Sequence, residues 1–209
     1  MLHPRPESWS VQFDFDTGVQ FAAYLAQHIG ITPATDVTPE PLHSAWGQWW
    51  SQLLTHTLQQ ITANVQQSMP NETSSAPLQA LADQMHAHFQ PSTFPHLAAT
   101  PALQAICRAQ WPAFQIWWEG ASGEKARVAA QLTTQLQRLK LPQLVASCAK
   151  AQGVVRIQPF RLFVEFVYWP ADYDDQRADS LLILGRHYVE ATHLDWLRTR
   201  LVSIIRQLV

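Results

Sequence analysis

Two aspartates close an alternating apolar segment near the start of the chain, in the order Phe13-Asp14-Phe15-Asp16-Thr17-Gly18. Carboxylates brought together can share one proton, or divide the tasks of nucleophile and acid. Asp14 and Asp16 are therefore the candidate catalytic residues. The same residues also have a purely structural reading, in which short acidic side chains end a strand, turn the chain and cap a helix.

Two enzyme patterns bear on the choice. Asp16-Thr17-Gly18 resembles the aspartic-protease signature, but the chain has no second Asp-Thr/Ser-Gly, and the residues that follow read as helices. Asp14-x-Asp16 after a strand resembles the acidic pair of haloacid-dehalogenase-like phosphatases. That pattern wants Thr or Val where Gly18 stands, and a downstream Lys within an alternating βα chain, an arrangement missing from this sequence. The structural reading is the expectation, and a hydrolase or small-ligand-binding protein using Asp14, Asp16 and an aromatic-lined pocket is the alternative.

Nine histidines could ligate metal, yet their spacing is poor. His86 and His88, two apart, point to different faces of a helix. His187, Glu190 and His193 straddle a strand-to-helix junction, and His43 and His56 sit at the edges of a tryptophan-rich helix. Asp172, Asp174, Asp175 and Asp179 crowd one connection but lack the central Gly and terminal Glu of a calcium loop. They read as a solvated hairpin tip. No Gly-rich phosphate loop and no Gly-x-Ser-x-Gly elbow occurs. Neither a metal nor a cofactor is expected.

Tryptophan is the other candidate. Trp46, Trp49 and Trp50 lie within one helical stretch, and Trp111, Trp117 and Trp118 within another. Helical arithmetic places Trp46 and Trp50 mid-face, in the core, and Trp49 at the margin. Trp49, Trp117 and Trp118 are the candidate binding residues for a pocket or an interface.

Charge limits the partners. Between Arg5 and Arg108 there is no Lys or Arg. Residues 1–100 carry seven carboxylates against Arg5, a net of −6, and residues 101–209 carry thirteen Lys/Arg against nine carboxylates, a net of +4. A nucleic acid or an anionic membrane needs clustered cations, so neither is expected on the first half. Only 14% of the residues are charged, which leaves little repulsion between copies. The expected partner is another protein or a second copy of the chain.

No apolar run reaches the length of a transmembrane helix, and the first residues lack the apolar core of a secretory signal. Cys107 and Cys148 stand apart and read as free core thiols in a reducing compartment, so the cytoplasm is expected.

These residues must be positioned by helices over most of the chain. A short strand ends near Phe15, and helices are predicted over 17–29, 41–67, 77–89, 101–111, 124–140 and 142–152. Pro112 should stop or kink the fourth, with residues 116–118 as its candidate continuation. Residues 154–169 and 181–190 then switch to β-branched and aromatic strands, with Pro159 as a break. Thr192 and Asp195 suggest a capping box for a last helix. The predicted class is α+β in a single domain over 1–209. A mainly helical body to about residue 152 precedes a short antiparallel β-sheet and a C-terminal helix. The function expected is a non-catalytic interaction or self-associating module.

Overall fold

A computed structural model of the protein describes residues 9–31, 41–67, 93–169, 173–178 and 181–209. The first strand, β1 (Trp9–Asp14), alternates half-buried Trp9, Val11 and Phe13 with exposed Ser10, Gln12 and Asp14. Helix α1 (Thr17–His28) starts where the Asp16 carboxylate accepts from the Val19 N–H at 2.9 Å. It ends at Gly30, whose φ of 72° lets the Ile31 N–H turn back to the Ala26 carbonyl. Helix α2 (Pro41–Gln67) has the predicted bounds, opening on a proline whose missing N–H has no partner to lose.

A 3₁₀ turn at Pro95–Leu97 precedes α3 (Pro101–Glu119). Of the two outcomes expected at Pro112, a stop or a kink, the stop does not occur, and the helix continues through residues 116–118. Interior proline costs about 3 kcal/mol, and the helix passes through because Trp111, Phe114 and Trp118, on both sides of it, are buried together. Helices α4 (Glu124–Leu139) and α5 (Leu141–Ala151) are separated by Lys140 in the left-handed region, with φ of 50°. Strands β2 (Phe160–Val167), β3 (Asp174–Ala178) and β4 (Leu181–Gly185) follow, then two 3₁₀ turns and α6 (Leu194–Leu208). The Thr192 cap is not made, since that residue lies in the second turn and His193 precedes the helix without a side-chain cap bond. The helix expected over 77–89, with His86 and His88, lies outside the described residues, as do Asp172 and Asp179.

The α+β class holds. Among the described residues a four-stranded sheet, in the order β1-β2-β4-β3, accompanies helices that dominate the chain. The expected antiparallel pairing is corrected. β1 and β2 run parallel, β2 and β4 run parallel, and only β3 with β4 is antiparallel. The physical reason lies in the connection after residue 169. Parallel neighbours need a long return path, and here β3 is that path, running back along the outer side of β4 before the chain turns into it.

Contacts divide the chain into two compact units, residues 1–15 with 124–209 and residues 16–123. Helices α4 and α5 belong to the unit of the sheet and pack against it. Val128, Leu132, Leu144 and Cys148 share one core with Phe160, Leu162, Val164, Phe166, Leu182 and Leu184 of the sheet and with Leu197, Leu201 and Ile204 of α6. Every residue of β4 is buried, as expected of a parallel strand covered on both faces. In the other unit α1 is buried almost all round, with Val19, Phe21, Ala22, Ala23, Leu25 and Ala26 inaccessible. Formal charge separates along the same division. Residues 16–123 hold six carboxylates and Arg108, a net of −5; the remainder holds thirteen Lys/Arg and ten carboxylates, a net of +3.

Candidate functional site

Asp14 and Asp16 each serve local backbone. Asp14 Oδ1 accepts from the Phe15 N–H at 2.8 Å, turning the chain out of β1. Asp16 Oδ1 caps α1 through Val19, satisfying an N–H that the helix cannot pair itself. These bonds are those of the structural reading.

The aromatic candidates gather in the unit of residues 16–123. Phe21 of α1 is the hub, with ring centroids 5.0 Å from Trp111, 5.1 Å from Phe114, 5.5 Å from Phe94 and 6.1 Å from Trp49. Trp46 and Trp50, 5.5 Å apart and stacked, are buried as helical arithmetic requires. Trp49 corrects the expectation of a marginal, accessible residue: only 2% of it is exposed. Phe94 and His96, from the irregular segment before α3, close over it at 6.4 and 5.9 Å. Trp118 is likewise inaccessible, at 1%, and stacked on Phe114. Neither can meet a partner without unfolding its surroundings.

Trp117 remains half-exposed, and it does not stand alone. Tyr24 stacks on it at 5.2 Å, and the His28 ring lies 4.1 Å from Tyr24. Tyr24 is itself half-exposed and His28 exposed, while Ile116, next to Trp117 in α3, is 76% exposed. Phe114 underlies both Tyr24 and Trp117, at 5.3 and 5.8 Å, and holds their rings in place. The result is a supported aromatic ledge on an acidic unit. Burial raises the Tyr24 phenol above its ordinary range, so this group stays protonated near neutrality and offers no base.

Residues 174–178 of the acidic connection form the strand β3. Asp174 accepts from the Tyr188 hydroxyl at 3.1 Å and from Arg200 Nε at 2.8 Å, which ties β3 to α6. Asp175 accepts from Tyr173 and Arg177 within β3 and its approach. His193 Nδ1 lies 3.5 Å from Glu190 Oε2, a contact that is an ion pair only when the imidazole is protonated. Among the described residues no three His, Cys, Asp or Glu side chains are grouped to hold a metal.

Glu165 is a residue that sequence reasoning missed. It lies in the middle of β2, only 3% exposed, and its register partner on β1 is Asp14. The available signal is a single acid inside the apolar run Phe163-Val164-Glu165-Phe166-Val167. Neighbouring strands lie about 4.8 Å apart, so these two carboxylate-bearing residues are adjacent on one sheet face.

Both thiols are buried and free, and burial pushes the Cys107 thiol up to about 12, far from the thiolate a nucleophile needs. Among the described residues no helix is long and apolar enough to cross a membrane. Compared with protein-family models, with curated proteins and with solved structures, the chain matches none of them.

Proposed function

We propose that this chain is a non-catalytic module that binds another protein through the ledge of Tyr24, Ile116 and Trp117. The observation that carries the reading is the exposure of Ile116 and Trp117 at the end of a helix whose other aromatics are inaccessible. Rigid aromatic side chains beside an aliphatic anchor bury much apolar area at low entropic cost, and such residues dominate interface energetics. The local engagement of Asp14 and Asp16 with backbone N–H groups supports the same side of the choice.

The test is the double variant Asp14→Asn with Asp16→Asn, assayed for phosphate-ester and carboxylic-ester hydrolysis beside the parent. The binding reading expects any activity found to survive. A hydrolysis that this variant abolishes, in a protein still folded, overturns it.

A second reading, a hydrolase or small-ligand-binding protein, is favoured by one observation, the adjacency of Asp14 and buried Glu165. Two adjacent carboxylic side chains, one of them buried, are the residue types that general acid–base work uses. Loss of a measured activity in Glu165→Gln with unchanged melting would establish it.

A further inference from the structure

The sheet has two edges, β1 and β3, and they differ in what protects them. Edge strands carry a row of outward N–H and C=O groups that invites another strand, and proteins discourage this with charge. β3 is charged at three of its five positions, Asp174, Asp175 and Arg177, and both acids are held by cationic partners. β1 reads Trp9-Ser10-Val11-Gln12-Phe13-Asp14, with one charge at its very end, no lysine and no proline. Among the described residues no strand lies on its outer side.

The apolar side chains of β1 are also incompletely covered. Trp9 stacks on Phe160 at 6.0 Å and Phe13 on Phe166 at 5.9 Å, joining the core of the sheet, yet Trp9, Val11, Phe13 and the following Phe15 all stay half-buried. Among the described residues one element thus combines an outer edge that no strand pairs with a half-covered apolar stripe.

We infer that β1 pairs antiparallel with β1 of a second copy, about a two-fold axis through Val11, joining two sheets into one. The occupant follows from self-complementarity. With the axis at Val11, Trp9 of one copy faces Phe13 of the other on the apolar side, and Val11 faces Val11. Ser10 faces Gln12 on the opposite side. Asp14 does not meet its own copy, so no like charges oppose each other, whereas self-pairing of β3 would crowd its acids. Cross-strand aromatic and β-branched pairs are the units that stabilise such a junction, and a two-fold is the commonest symmetry of soluble oligomers. This inference goes beyond the binding ledge and shares no residue with it.

The test is light scattering on the full chain across a range of protein concentrations. The parent is expected to be a dimer. Ser10→Lys with Gln12→Lys places lysine opposite lysine twice across the junction and is expected to weaken dimerisation by about tenfold or more. Both positions are exposed within one copy, so circular dichroism should be unchanged. Ser10→Glu with Gln12→Lys places opposite charges face to face and is expected to restore the dimer. A parent that stays monomeric at every concentration overturns the inference. So does a dimer indifferent to the double-lysine variant, or one that the charge-paired variant dissociates equally. A β1 edge protected from amide exchange only when a different protein is added overturns it as well.

Discussion

The indole Nε1 of Trp46 donates to the carbonyl oxygen of Ala22 at 3.0 Å, a buried bond that ties α2 to α1 across 24 residues of sequence. The bond fixes how far α2 rotates, and with it which tryptophans point inward. Trp50 stacks on Trp46, and Trp49, one residue earlier in the chain, meets Phe21.

Trp50→Ala should therefore cost about 3–5 kcal/mol, through lost burial and an unfilled cavity. Trp46→Phe should cost less, about 1–3 kcal/mol, because it keeps most of the ring and loses the bond to Ala22. Urea unfolding of the two variants checks the order. A Trp50→Ala protein as stable as the parent would mean that this face of α2 is not the packed one.

The cap on α1 gives a second contrast. Asp16→Ala should destabilise by about 1 kcal/mol, the usual worth of an N-cap oxygen. Asp14→Asn should fall within about 0.5 kcal/mol, since its bond to Phe15 is exposed and an amide oxygen can replace it. Melting of the two single variants decides; equal and large losses would give Asp14 a structural role that its surroundings do not explain.

Much of the fold is legible in the amino-acid sequence, and the misses have physical causes. The bounds of α1 and α2 follow from Asp16, Gly30, Pro41 and apolar residues at helical spacing, all local signals. The direction of the sheet is not local. The connection rich in aspartate conceals β3, whose charges are characteristic of an edge, and so a parallel pair reads as a hairpin. The candidate site is less legible. Trp49 is misplaced by helical arithmetic because its cover, Phe94 and His96, comes from a proline-rich segment with no periodicity to announce it. Pro112 leaves a stop and a continuation both open in the sequence because its cost is local while the burial that offsets it is tertiary. Trp117 and Trp118 are adjacent, and helical spacing separates them: Trp118 continues the buried face of Leu103, Cys107, Trp111 and Phe114, while Trp117 lies off that face.

Cys107 makes the stability depend on alkaline pH. Burial raises its thiol from an ordinary 9.0 to about 12, so the folded chain holds a proton that the unfolded chain releases. Its stabilising share is whole below pH 9 and is lost as pH rises toward about 12, by about 1.4 kcal/mol for each unit. Stability of the parent should therefore fall more steeply between those limits than that of Cys107→Ala. Parallel curves for the two proteins would show that the thiol is not sequestered.

The central claim is that Ile116 and Trp117 meet a protein partner and that the acidic pair at 14 and 16 does not act on a substrate. Affinity capture with the parent chain supplies the bound protein, and calorimetric titration of that protein into the parent, Ile116→Asp and Asp14→Asn compares the surfaces. A charge placed in an apolar interface should weaken binding by about tenfold or more, so Ile116→Asp is expected to lose affinity while Asp14→Asn keeps it. Equal affinity for Ile116→Asp and the parent, with a loss confined to Asp14→Asn, would contradict the account.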